Sequence, residues 1–264
     1  MDPLTILAAL AAGALIGLVL GLVGGGGSIL AVPLLVYAVG VESAHAAIGT
    51  AAVAVALNAA AGLAGHARSG NVKWPCALVF AGAGVAGALI GAEAGKALDG
   101  DKLLALFGAL MIAVGALMLR RRGAAEDPGV RLSRDSAGHL LPRLVPAGLG
   151  VGLLAGFFGI GGGFLIVPAL IAATAMPIDV AIGTSLVVVT ALGASTAGSY
   201  AVSGYVDWTL VALLAAGGAA GTFPGRWIGR RLAARKGLLN AGFAAVVIAV
   251  GAFVTWQGSG ALFG

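Results

Sequence analysis

Apolar stretches of roughly 20 residues recur along the whole chain, separated by short polar intervals at 68–73, 96–102, 121–142 and 226–236. A helix needs about 20 apolar residues to cross the hydrocarbon core of a bilayer. The pattern therefore predicts an all-α polytopic membrane protein. Full helices are expected at 44–67, 74–97, 102–119, 179–203, 208–231 and 236–256. The period-2 alternation of a membrane β-barrel is missing. Two further stretches, 4–39 and 144–176, are apolar throughout but broken by glycines. They read GLVGGGGSILAVP at 21–33 and GFFGIGGGFLIVP at 156–168. Glycine lets the backbone leave the helix without a steric penalty. Inside a bilayer such a break is tolerated only where it is buried in protein or lines a cavity. The chain is expected to restart as a helix at Ser28 and at Gly163.

The glycine phrases belong to a repeat that spans the chain. Gly21, Gly24, Gly26, Gly27 and Pro33 match Gly156, Gly159, Gly161, Gly162 and Pro168 at an offset of 135. After a one-residue gap, Ala47-Ile48-Gly49-Thr50 matches Ala181-Ile182-Gly183-Thr184 at 134, as do Gly70 and Gly204, Trp74 and Trp208, and Gly91 and Gly225. The expected organisation is a first transmembrane repeat at 1–120, a polar linker at 121–142 and a second repeat at 143–264. Each repeat holds one glycine-broken segment plus three transmembrane helices.

Charge then orients the chain. Of the 264 residues 60% are hydrophobic and only 9% charged, against about a quarter charged in soluble domains. Thirteen of the fifteen Lys and Arg fall in the linker with its flanks and in the loops 68–73 and 226–236. The positive-inside rule puts these segments in the cytoplasm. Both termini are then periplasmic, and the halves are inverted relative to each other. Each broken segment must make an even number of passes, either dipping in and returning or crossing twice. No cleavable leader is expected, since residues 1–23 lack a basic start. Trp74, Trp208 and Trp256 read as interfacial anchors. Cys76 reads as a small core residue.

The spans hold almost no ionisable groups. That argues against a metal site, a clamp for a large polyanion, a cofactor or a nucleic-acid partner. What remains is backbone dipoles and hydroxyls. A helix N-terminus carries about half a positive charge and free amide donors, which suits an anion. The candidate solute site is therefore Gly24, Gly25, Gly26, Gly27 and Ser28 with Gly159, Gly161, Gly162 and Gly163. Thr50, Asn58, Thr184 and Ser185 are expected as hydroxyl and amide donors nearby. Thr190, Ser195, Thr196, Ser199 and Tyr200 add a polar face to the helix expected at 179–203. His45 and His66 are candidates for a proton relay. An intramembrane serine hydrolase is disfavoured because the repeat puts Gly163 where Ser28 stands, so no enzyme is expected. Paired breaks between inverted repeats suit a transporter that works by alternating access. A passive anion channel would need the same dipoles.

GLVGGGGSILAVPLL and GFFGIGGGFLIVPAL, each followed by AIGT, resemble the duplicated motif of the sulfite exporter TauE/SafE family of bacterial permeases. The resemblance extends over the whole chain, with Ser28 where a further glycine is common. It implies an inner-membrane secondary transporter that moves a small sulfur-containing anion, such as sulfite or an organosulfonate, typically outward. It carries glycines 24–27, 159 and 161–163, with Thr50 and Thr184, as site residues. A permease for a different small organic anion fits the same motif. The partners expected are the small anionic solute and the lipid bilayer, with proton coupling.

Overall fold

In the computed structural model, residues 2–23, 25–120, 127, 129–159, 161–231 and 236–263 are described. Among them every regular element is helical. The first half comprises α1 (Pro3–Val23), a short arm, α3 (Ala44–Arg68), α4 (Trp74–Lys96) and α5 (Gly100–Arg120). The arm is a 3₁₀ helix at Gly25–Leu30, a single α-turn α2 (Ala31–Pro33) and a π-helical turn at Leu34–Val39. The second half comprises α6 (Arg134–Phe157), α7 (Gly163–Thr174), α8 (Ile178–Val202), α9 (Trp208–Arg231) and α10 (Lys236–Phe263). Seven of these helices are long and apolar enough to span a bilayer. Large apolar side chains such as Leu78, Ile90, Trp208 and Phe223 stand exposed on the outside, as a lipid-facing surface requires.

Three boundaries differ from the sequence pattern: those of α6, of the first arm, and of α10, which runs to Phe263 rather than stopping near 256. Helix α6 begins at Arg134, inside the polar stretch 121–142. Ser133 caps it: its Oγ accepts from the Ser136 amide at 3.4 Å, and its own amide donates to Ser136 Oγ at 2.9 Å. This reciprocal box supplies the start that polar composition concealed, and α6 runs on through Pro142 and Pro146. The first arm also does not restart as an α-helix at Ser28. Its 3₁₀ turn tightens the chain up to Leu30, and Pro33, which has no amide hydrogen, interrupts the α-ladder.

The two halves interlock rather than sit side by side. Helix α4 packs along α6, and α9 packs along α1; α3 faces α8, and α5 faces α10. This pattern is unchanged when the halves are exchanged. Glycines make the tightest contacts. A Cβ on Gly17 would collide with the carbonyl of Gly218, and one on Gly152 would collide with the carbonyl of Gly84. Those are the same contact under the repeat. Small residues let helix backbones approach this closely where lipid supplies no hydrophobic drive to associate.

Contacts along these pairs fix the directions. Gly13 meets Leu214 and Gly17 meets Gly218, so α1 runs parallel to α9. Thr50 meets Asp207 and Asn58 meets Gly218, so α3 runs parallel to α9 as well. The first arm must therefore carry the chain back along α1 before α3 begins. It does fold back: a Cβ on Gly27 would lie 2.6 Å from the carbonyl oxygen of Ile16. The second break repeats the turn, with Gly162 against Ala155 at 2.8 Å. Gly62 faces Leu186 while Gly49 faces Tyr200, so α3 and α8 are antiparallel.

Candidate solute site at the glycine breaks

The second break is built by left-handed glycines. Gly159, Gly161 and Gly162 have φ of 63°, 61° and 68°, a region closed to most side chains. Gly162 caps α7, and its carbonyl accepts from the amides of Leu165 and Ile166 at 2.9 and 3.0 Å. The amides of Gly163 and Phe164 precede these first intrahelical bonds. The break is also central. A Cβ at Gly161 would lie 3.4 Å from Val55 and 3.8 Å from both Val189 and Gly193. Those residues occupy the middle turns of α3 and α8. Helix α7 then runs outward for twelve residues, about 18 Å, or half a span.

The first break reaches the same region by different geometry. Gly24 lies outside the described residues. Gly25, Gly26 and Gly27 belong to the 3₁₀ turn, and Ser28 is fully buried. This turn packs against α7, α8 and α3 as well as against α1. The two interrupted arms thus touch each other at the heart of the bundle.

The flanking donors are distributed more widely. Ile48 and Val55, seven residues apart on one face of α3, meet Gly159 and Gly161. Thr50 lies across the helix from them, and its Oγ1 accepts from the Asp207 amide at 3.0 Å. Its repeat mate Thr184 accepts from the Lys73 amide at 3.0 Å. The two threonines therefore latch symmetric loops, 203–207 and 69–73, at opposite ends of the α3/α8 pair. Contact with an anion by either must use the hydroxyl hydrogen, since an anion needs a donor. Ser185 is buried and donates to the Ile182 carbonyl at 2.8 Å. Asn58 is buried against Gly218, where α9 crosses α1. His45 and His66 sit at the two ends of α3, roughly 31 Å apart by helical rise, and are not brought together. Among the described residues no group of three His, Cys, Asp or Glu side chains could hold a metal ion.

Thr196 lies on the polar face of α8, outside the candidate site expected from the sequence. The structure gives it a different status from its neighbours. Thr190 and Ser195 donate to backbone carbonyls of their own helix at 2.7 and 2.8 Å. Thr196 Oγ1 is buried with no hydrogen-bond partner among the described residues, and so is Tyr200 Oη, one turn on. Composition cannot reveal which hydroxyls bond locally, so no sequence signal separates them.

A bundle of apolar helices interlocked through two half-span arms that meet at its centre is the architecture of a membrane transporter. The chain belongs to the sulfite exporter TauE/SafE family, whose family model matches residues 9–254. That is a transporter family and not an enzyme family. A probable membrane transporter protein of Xylella fastidiosa strain Temecula1 is 46% identical over 253 residues, covering 96% of each chain. The probable membrane transporter protein YunE of Bacillus subtilis strain 168 is 29% identical, over 84% of this chain and 85% of its own. A similar protein, MJ0441 of Methanocaldococcus jannaschii, is 27% identical over 77% of this chain and 78% of its own. No solved structure matches.

Proposed function

We propose that this protein is a secondary transporter that moves a small sulfur-containing anion across the bacterial inner membrane. The solute sits where the two glycine breaks meet, held by backbone amides at the starts of the arms. The observation that carries this reading is the position of Gly161, against the middle of both α3 and α8, with the first arm packed on α7. Free amides and a positive dipole end favour an anion there, and glycine admits it close to the backbone. The antiparallel α3/α8 pair supports inverted repeats: a two-fold axis that relates two antiparallel spans lies in the membrane plane. Exchanging the conformations of the halves would then turn an outward-facing site inward. Loop 69–73, the start of α6 and the end of α9 share one end of the bundle, which supports a cytoplasmic linker and periplasmic termini.

Gly26→Leu and Gly161→Leu should each abolish uptake of radiolabelled sulfite or sulfoacetate into proteoliposomes while leaving the protein inserted. Gly161→Ala is the milder companion: the space admits a methyl group, but a φ of 61° makes it strained, by about 1–3 kcal/mol. Unaltered transport in the leucine variants would remove the breaks from the mechanism. Dissipating a proton gradient tests coupling in the same vesicles, and steady accumulation against a solute gradient separates a transporter from a channel.

A further inference from the structure

Five hydroxyls on or just beyond α8 are satisfied close to home. Ser185, Thr190, Ser195 and Ser203 donate to nearby carbonyls, and Ser199 donates to Glu93 Oε1 at 3.0 Å. Thr196 and Tyr200 are both 0% exposed, and neither hydroxyl has a partner among the described residues. Four residues apart, they share one face of α8. That face continues inward to Gly193, which is beside the Gly161 break. It continues outward to Lys96, whose ammonium stands 5.9 Å from the centre of the Tyr200 ring.

Lys96 is the charged element of this end. Its side chain is 14% exposed, pairs with the exposed Glu93 at 2.7 Å and donates to Ser203 Oγ at 3.0 Å. The Tyr205 ring bridges Tyr200 at 6.2 Å and His45 at 5.4 Å, and the buried His45 Nε2 also has no partner among the described residues. The opposing wall on α3 is small: Gly49 faces the Cβ of Tyr200, and Ala52 and Ala56 face Gly193.

A buried unpartnered hydroxyl costs stability. Two in register, between a shielded cation and the central break, have a shared use. The geometry points to an anion-conducting line on the end of the bundle away from the linker. Lys96 meets the small oxyanion at the mouth, with Glu93 holding the ammonium until the anion replaces it. The Tyr200 and Thr196 hydroxyls then donate to the anion on its way to or from Gly161–Gly163. The inference rests on the transport reading above. The two hydroxyls are not repeated at the other end, because the repeat mates of Thr196 and Tyr200 are Gly62 and His66. The two sides of the membrane therefore present different routes to one site.

The test uses Tyr200→Phe and Thr196→Val in the full-length protein, with sulfite and sulfoacetate as probes. Each variant removes an unpartnered buried hydroxyl, so each should fold with an unchanged or raised melting temperature. The anion-induced thermal shift should shrink, and KM for uptake should rise at least fivefold. Lys96→Gln should raise KM at least tenfold, with Lys96→Arg restoring most of it; the hydroxyl variants decide the matter should Lys96→Gln fail to insert. Wild-type KM and wild-type thermal shift in both hydroxyl variants overturn the line. If Gly161→Leu abolishes transport while those variants behave as wild type, the line falls and the central site stands. If the wild type neither binds nor moves either probe, both fall together.

Discussion

Thr50 and Thr184 illustrate how a repeat identifies an important pair without saying what the pair does. Their conservation within the duplicated motif suits a solute ligand as well as it suits a latch. In the structure each oxygen accepts the amide of a loop residue in the other half, Asp207 or Lys73, at 3.0 Å. Each loop leads directly into a long helix of the opposite repeat. Thr50→Val and Thr184→Val leave those amides without acceptors and should each lower stability by about 1–3 kcal/mol, the usual penalty for an unmade buried hydrogen bond. Thermal unfolding in detergent without solute reads this directly. A variant with unchanged melting but weakened anion binding would instead assign the hydroxyl to the solute.

At the scale of elements, glycine performs two separate tasks that look alike in sequence. At Gly159, Gly161 and Gly162 it permits left-handed backbone and reverses the chain. At Gly17 and Gly152 it brings parallel helices into backbone contact, against Gly218 and Gly84. The second task tolerates no side chain, because what a Cβ would meet is a carbonyl group and not a movable rotamer. Gly17→Leu and Gly152→Leu should therefore abolish folded protein in the membrane, seen as loss of the monodisperse peak in fluorescence-detected size exclusion. Gly82→Leu, where a Cβ meets nothing within 4 Å, should be tolerated. The element boundaries follow the same division. Helices α3, α4, α8 and α9 start and stop within a residue or so of their sequence-predicted limits, because Trp, Lys, Arg and polar turns mark them. Helix α6 does not: its first turns are polar, and only its capping box shows where it begins.

For the whole molecule the interlocking of halves has a consequence for topology. The parallel runs of α1, α3 and α9 turn the first arm back along α1, in keeping with the proposed odd number of passes in each half. Loops 69–73 and 175–177, the start of α6 and the end of α9 then share one end, and the start of α3 shares the other end with loops 97–99 and 203–207. Single cysteines test this in a Cys76→Ala background, since Cys76 is fully buried. Ser69→Cys should react with a membrane-impermeant thiol reagent only from the cytoplasmic side, and Glu42→Cys only from the periplasmic side. Labelling of both from one side would break the inverted arrangement and the alternating-access reading with it.

The sequence by itself determined what depends on local composition. Span length follows from the cost of placing polar groups in hydrocarbon, which acts on each segment separately, and the duplicated phrase and the bias of basic residues are read directly along the chain. It also marked the breaks, since four near-consecutive glycines have few other uses inside a span. Only the tertiary structure decided where those breaks lie relative to α3 and α8, that the arms touch, and that Thr50 faces away from Gly159. It alone separated Thr196 and Tyr200 from neighbouring hydroxyls that bond their own helix. Those outcomes turn on which face of each helix meets which partner. That choice is made by close packing between segments more than a hundred residues apart, and no local pattern encodes it.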